Sequence, residues 1–158
     1  MVQAMWTAEQ RQRLALEHQI LQREDFTQFS VYHQSSDDSY YASGYATSNA
    51  GYRYGLWISI PPGFPQERPS MYVTDPHPLL MKDGTLISSL GVSHKMHTMA
   101  PSTNGMVQIC HWRNNRWRSG IVLQKVFLKG LIWIEAYEQH IATGRDLADF
   151  VGTMAETA

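Results

Sequence analysis

Three consecutive segments alternate in polarity with a period of two, and only short turns separate them. The segments are Phe26–Tyr32, Tyr40–Thr47 and Tyr52–Ile60. Ser35–Ser39 and Ser48–Gly51 supply the polar and glycine residues of the turns. Successive side chains of a β-strand lie on opposite faces, and strands joined by short turns pair antiparallel. The pattern therefore predicts an antiparallel meander, and we expect its many tyrosines to pack on the faces of the sheet.

A proline-rich segment follows the third strand, from Pro61 to Pro69. Because proline has no amide hydrogen to donate to a ladder, this segment ends the strand and predicts a rigid, extended connection. Ser70–Thr74 then predicts a fourth strand. The polar stretch 75–104 is long for a loop in a compact domain, so we expect it to be functional or mobile. Within it, Thr85–Leu90 has some strand character and suggests a small hairpin.

An N-terminal helix is predicted over residues 1–25. Thr7 and Gln10 have the spacing of a capping box, in which each side chain accepts a hydrogen bond from the backbone of the other. Apolar residues then recur at helical spacing, with charged residues between them. This helix is expected to pack on the sheet, and its basic face is a candidate partner surface.

A second, longer helix is predicted over Ile121–Ile141, because apolar residues cover much of its circumference. Ser119 is the expected N-cap, and Gly144 is the expected C-terminal stop. A short terminal helix is expected over about 145–155.

Composition is consistent with one ordinary domain of 158 residues, of which 43% are hydrophobic. The order of helix, four strands, irregular stretch and helix predicts an α+β fold over residues 1–158, with its core at about 5–143. The net charge of -1 provides no general attraction to nucleic acid or to an anionic membrane. Without an apparent signal segment or membrane span, the chain is expected to be cytoplasmic.

Cys110 is the only cysteine, so no internal disulfide is possible. It ends a short apolar run that begins at the Asn104-Gly105 turn, and a basic, tryptophan-containing segment follows it. Such a thiol is either a buried packing residue or a nucleophile. A nucleophile needs the thiolate form, and an unperturbed thiol has a pKa of about 8.5. Four residues are close enough in sequence to assist: His111, Arg113, Arg116 and Arg118.

The order of elements, together with three motifs, resembles the ubiquitin-conjugating enzyme family over about residues 5–143. The Pro61–Pro69 segment is similar to the family's proline-rich strand end, since Pro61, Phe64, Pro65 and Pro69 fall in register. The Asn104–Cys110 segment is similar to the family's Asn-Gly-x-Ile-Cys active-site motif, with two extra residues before the cysteine. Trp117 and the helix after it match the tryptophan and helix that follow the family's catalytic cysteine.

The resemblance implies an activity and a set of partners. Cys110 would accept a ubiquitin-like protein as a thioester from a ubiquitin-activating-like enzyme and pass it to an amine of a target protein. No cofactor is expected, because the activating enzyme consumes the ATP, and neither nucleic acid nor a membrane is an expected partner. The sequence departs from the family pattern in ways that resemble divergent bacterial members of the family. The operons that encode those members are implicated in anti-phage defence.

The departures concern the groups around the cysteine. The family's His-Pro-Asn tripeptide has no full counterpart: His77-Pro78 is followed by Leu79, and His97 is followed by Thr98. The family's asparagine supports the oxyanion during amide-bond formation. His97 is our first choice for that donor, and its alternative role is to brace the loop through a backbone carbonyl. The other supporting candidates are His94, His111, Asn104 and His77, with Trp117 as a packing residue that seats the segment.

Two other classes of function remain open. Relatives of the family without catalytic activity bind ubiquitin-like proteins or serve as scaffolds, but they lack the cysteine in this segment. A zinc site is the second, because His94, His97, Cys110 and His111 offer nitrogen and sulfur ligands. Adjacent Cys110 and His111 on a strand would point to opposite faces, so one metal site would not easily use both.

Overall fold

The computed structural model describes residues 5–23 and 25–151 of the chain. Helix α1 spans Ala8–Arg23. Its capping box is confirmed: the Thr7 amide donates to Gln10 Oε1 at 2.9 Å, and the Gln10 amide donates to Thr7 Oγ1 at 3.1 Å. Positions 1–4 and 24 of the predicted helix lie outside the described residues.

The four predicted strands are confirmed as β1 (Phe29–Gln34), β2 (Ser39–Thr47), β3 (Arg53–Ile60) and β4 (Ser70–Asp75). They pair antiparallel in chain order. Strand β1 begins later than predicted because the backbone closes a turn before it. In that turn the Phe29 amide donates to the Phe26 carbonyl.

The prediction of a four-stranded sheet is wrong, because two short strands extend it to six. Strands β5 (Thr98–Met99) and β6 (Val107–Ile109) give the antiparallel order β1-β2-β3-β4-β6-β5. Ile109 pairs with Met71 of β4 on one side and with Thr98 on the other. Strands of two or three residues are too short for a periodic signal, so they depend on long-range pairing.

The expected small hairpin at Thr85–Leu90 is present in part. Leu86 bridges Leu80, and two backbone hydrogen bonds flank this bridge: the Met81 amide donates to the Thr85 carbonyl at 2.8 Å, and the Ile87 amide donates to the Leu79 carbonyl at 3.1 Å. Ile87–Leu90 then forms a 3₁₀ turn in which Ile87 is buried.

Helix α2 spans Leu123–Thr143 and ends, as predicted, at Gly144, whose φ of 77° lies in the left-handed region that favours glycine. The expected N-cap Ser119 is wrong, since Val122 occupies the capping position and has no side-chain hydrogen bond. Instead, Glu17 of α1 accepts a hydrogen bond from the Leu123 amide at 2.8 Å. Helix α3 is Ala148–Val151, and the end of the predicted terminal helix, 152–155, lies outside the described residues.

The core lies between α2 and the inner face of the sheet. Phe127 of α2 stacks on Phe29 of β1, with ring centroids 3.9 Å apart. Gly130 lets α2 approach β3 and β4, because a Cβ there would lie 3.0 Å from both Leu56 and Met71. On the outer face, consecutive ring contacts link the aromatic side chains of four strands, as expected for sheet-face packing: Tyr32, Tyr41, Trp57 and Tyr72.

The stretch between β4 and β5 packs along α2. Tyr137 donates its hydroxyl hydrogen to the Leu80 carbonyl at 2.6 Å. One turn further along the helix, His140 Nε2 accepts a hydrogen bond from the Lys82 amide at 3.1 Å. Helix α2 therefore gives order to a segment whose sequence shows no regular period.

Candidate functional site

Cys110 directly follows β6, the strand that lies between β4 and the edge strand β5. Its thiol-bearing side chain is half-buried. Its amide donates to the carbonyl oxygen of His97 at 2.9 Å, which continues the β5–β6 pairing by one more hydrogen bond. The cysteine is thus held by a paired strand end and not by an unsupported loop.

The side chain of Cys110 opens into a small cleft with a volume of about 200 Å³. Both histidines that were the leading candidates from the sequence, His94 and His97, line it together with Arg113. The remaining lining residues come from the segment that carries the two histidines: Val92, Ser93, Thr98 and Met99. The structure therefore brings the predicted nucleophile and the first-choice donor into one site.

A four-residue loop presents the two histidines. Ser93 and Thr98 close it with a pair of backbone hydrogen bonds of 3.0 Å each. His97 takes the last loop position with φ of 50°, a left-handed conformation uncommon for residues other than glycine. Its side chain is 5% exposed, and its ring centroid lies 5.6 Å from that of His94. Sterically costly backbone conformations of this kind cluster at functional sites.

Helix α2 packs against this loop and donates a hydrogen bond to its backbone. Met96, at the centre of the loop, is fully buried, and its carbonyl accepts a hydrogen bond of 2.9 Å from Trp133 Nε1. The carbonyl of Lys95 accepts from the Ala148 amide of α3 at 2.8 Å. The position of His97 is therefore set by contacts of its loop to two helices, of which the contact to α2 is buried.

Asn104 and His77 lie at the other end of β6. Asn104 is exposed in the turn between β5 and β6, where its side chain hydrogen-bonds Ser102. His77 is exposed beside the same turn, since its Cε1 would lie 3.8 Å from a Cβ on Gly105. The structure does not bring these two supporting candidates to Cys110.

His111 points away from the cleft, as expected for the neighbour of Cys110. It is fully buried, and its Nε2 donates to the Pro69 carbonyl at 2.7 Å. Burial, with smaller contributions from Arg68 and Lys129, lowers the pKa of His111 to about 3. A neutral, buried imidazole that faces the core stabilises the fold and cannot serve as a base for the thiol.

Trp117 seats the segment after the cysteine, as predicted. It is buried, and its Nε1 donates to the Pro65 carbonyl at 2.8 Å. Its ring makes edge contacts with Trp112 and His111. Trp117 therefore links the proline-rich segment to the segment that follows the cysteine.

Sequence reasoning missed two cations beside the thiol, Arg68 and Lys129. Burial raises the pKa of Cys110 above its ordinary value, while Arg68, Arg113 and Lys129 act in the opposite direction. Arg113 was a candidate because it is close in sequence, whereas the other two come from the proline-rich segment and from the middle of α2. No short-range sequence pattern connects them to the cysteine.

Ligands for a metal ion are not gathered at this site. Within residues 5–23 and 25–151, no group of three His, Cys, Asp or Glu side chains is arranged to hold an ion. His94, His97 and Cys110 share the cleft without forming such a group, and His111 faces the opposite side.

A scan against protein-family models finds no match to this chain, and a search of curated proteins finds no significant match either. Across the part of the chain that the structure describes, no helix is long and apolar enough to cross a membrane.

Proposed function

We propose that this chain is a ubiquitin-conjugating-like enzyme in which Cys110 is the thioester-forming nucleophile. The observation that carries the proposal is the single cysteine of the chain, half-buried in a cleft that it shares with His94, His97 and Arg113. The order of α1, the meander, the cysteine segment and α2 supports it, because the same order underlies the resemblance of the sequence to this family.

In the first step, the Cys110 thiolate attacks the carbonyl carbon of the thioester that joins a ubiquitin-like protein to an activating enzyme. A carbon–sulfur bond to Cys110 forms, and the activating enzyme's cysteine leaves as a thiolate. In the second step, a neutral amine of the target protein attacks the same carbonyl carbon. A carbon–nitrogen bond forms, Cys110 leaves as a thiolate, and the amine gives up one proton to solvent.

Both steps pass through a tetrahedral oxyanion, and one well-placed hydrogen-bond donor stabilises such an intermediate by roughly 3 kcal/mol or more. His97 is the proposed donor, because it lines the cleft and its carbonyl already holds the Cys110 amide. His94 supports it from the same loop. We place the reaction in the cytoplasm of a bacterium, as part of an anti-phage conjugation system.

The raised pKa of Cys110 favours a second candidate, a non-catalytic module that binds a ubiquitin-like protein. A thiol that burial keeps protonated at neutral pH is a poor nucleophile unless a partner activates it. Under this alternative Cys110 is a packing residue, and no covalent adduct forms.

The test is to trap the adduct in the native cell. Tagged wild-type, Cys110→Ser and Cys110→Ala proteins are expressed and examined by denaturing gel and mass spectrometry. We expect a wild-type adduct that reductant removes, a serine oxyester that survives reductant, and no adduct on the alanine variant. Absence of any adduct in cells that express the partners would refute the enzyme and favour the binding module.

A further inference from the structure

Two cations from distant parts of the chain hold the backbone immediately after Cys110. Arg68 Nη1 donates to the Trp112 carbonyl at 2.7 Å, and Lys129 Nζ donates to the His111 carbonyl at 3.1 Å. The two residues that follow the cysteine are therefore each fixed through their carbonyl oxygen.

Each cation has a second contact that sets its direction. Arg68 Nε donates to Asn114 Oδ1 at 2.9 Å, so the guanidinium spans the segment from Trp112 to Asn114. Lys129 Nζ lies 3.6 Å from the centroid of the Trp112 ring, in the geometry of a cation–π contact. Arg68 and Lys129 together therefore fix the backbone of the two residues that follow the cysteine.

The lysine is costly to place there. Lys129 is only 7% exposed, and transfer of an ammonium group out of water carries a penalty of several kcal/mol. Burial lowers the pKa of Lys129 to about 8, so the group is still mainly charged at neutral pH. The buried charge therefore has an electrostatic effect on neighbouring groups, besides its hydrogen bond and its cation–π contact.

That effect is on the charge of the thiol. Arg68, Lys129 and Arg113 all favour the thiolate form of Cys110, against burial. The other titratable side chains around the group are His94 and His97 in the cleft, neutral His111 on its core side, and Tyr72 beside Arg68.

We infer that Arg68 and Lys129 are positioning residues of the Cys110 nucleophile, which fix the backbone that follows it and place two positive charges beside its thiolate. The inference rests on the proposed role of Cys110 as the nucleophile. Neither residue needs to touch the acyl group. Both act through the orientation of the cysteine and the free energy of its ionised form.

The experiment measures carbamidomethylation of Cys110 by iodoacetamide as a function of pH, using intact mass. Because the chain has one cysteine, a single mass increment reports on this thiol alone. The variants are Lys129→Met and Arg68→Met, which keep much of the stem and remove the charge, and Arg68→Lys, which keeps the charge. Lys125→Met is the matched control, since Lys125 lies one turn earlier on α2 and is exposed.

We expect Arg68→Met to react about three- to tenfold more slowly at pH 7, with the midpoint of its pH profile moved upward. Lys129→Met should be slower by a similar factor at pH 7 and should approach the wild type above pH 8, where the wild-type lysine loses its charge. Arg68→Lys should retain a midpoint close to that of the wild type, and Lys125→Met should match the wild type throughout. A loss of packing alone would expose the thiol and would not raise its midpoint.

Unchanged profiles in folded Lys129→Met and Arg68→Met proteins, with folding verified by circular dichroism, would overturn the inference. If Lys129→Met does not fold, the profile of Arg68→Met decides alone. The outcome is separate from that of adduct trapping: shifted profiles without a cellular adduct would remove the proposed enzyme and leave the positioning of the thiol established.

Discussion

The Cys110 amide donates to the His97 carbonyl at 2.9 Å, so the predicted nucleophile and the first-choice oxyanion donor are joined through one backbone hydrogen bond. This bond follows the pairing of Thr98 with Ile109 between β5 and β6. The backbone of His97 therefore braces Cys110, while its side chain lines the cleft. The two roles considered for this histidine, loop support and catalysis, belong to different atoms of the same residue.

Substitution of His97 by alanine separates these roles, because it keeps the carbonyl and removes the imidazole. We expect discharge of a loaded thioester to an amine to fall by about tenfold or more, since the oxyanion loses a donor. Loading should fall by less than discharge, because the thiolate that attacks in the first step is a stronger nucleophile than the neutral amine of the second and depends less on the donor. Single-turnover loading and discharge assays measure the two steps separately.

His77→Ala is the control for this experiment, because His77 is exposed at the far end of β6. It should leave both steps unchanged. Equal losses of loading and discharge in His97→Ala would show that the side chain is structural, and the oxyanion role would then be abandoned.

The reactivity of Cys110 should depend on pH in the direction set by burial. Because burial raises the pKa of the thiol, the thiolate fraction at neutral pH is small. We expect the rate of alkylation of the wild-type protein to keep rising, about tenfold per pH unit, through pH 8.5, where an unperturbed thiol is half ionised. A rate that levels off below pH 8 would mean that the cations outweigh burial.

The meander was predictable from the sequence because β1 to β4 are long enough to alternate, and polar turns separate the first three. Strands β5 and β6 were not, because two or three residues carry no period. The N-cap of α2 was missed for a similar reason: the acceptor for the Leu123 amide is Glu17, 106 positions earlier in the chain. Local patterns identify contacts within an element and not those between distant elements.

The same distinction applies to the candidate site. Cys110 and His97 were predicted from the order of motifs, and the structure places them in one cleft. Asn104 was predicted as a supporting residue because the Asn-Gly turn belongs to the cysteine motif, but the length of β6 separates that turn from the cysteine. Arg68 and Lys129 carry no local signal, because only the packing of the proline-rich segment and of α2 brings them to the thiol.

The buried carboxylate of Glu17 should contribute measurably to stability. It accepts from the Leu123 amide at 2.8 Å and from Arg13 Nε at 2.9 Å, which joins the start of α2 to α1. We expect Glu17→Ala to lower the free energy of unfolding by about 2–3 kcal/mol, because a buried amide and a guanidinium lose their acceptor. Glu17→Gln keeps one acceptor oxygen and should cost less.

Urea denaturation measures both variants, with Gln12→Ala as the control. Gln12 is exposed on the same helix, and its substitution should change the free energy of unfolding by less than about 0.5 kcal/mol. If Glu17→Ala were as mild as the control, water would have to replace the carboxylate at the start of α2, and the proposed link between the helices would be lost.

His111 should make the protein sensitive to acid. Its pKa of about 3 in the folded state lies below the ordinary value of 6.5, because the buried ring must stay neutral. The stabilisation from this difference is complete above about pH 6.5 and is lost as the pH falls towards 3, by up to about 1.4 kcal/mol per pH unit. His111→Gln removes the titration and keeps a side-chain amide that can donate to Pro69.

Urea denaturation between pH 7 and pH 4 should give a steeper fall in the free energy of unfolding for the wild type than for the variant. Other groups with shifted pKa values, such as Glu17, act equally in both proteins, so the difference between the slopes isolates His111. Parallel slopes would mean that the ring is protonated in the folded protein and that its burial has been misassigned.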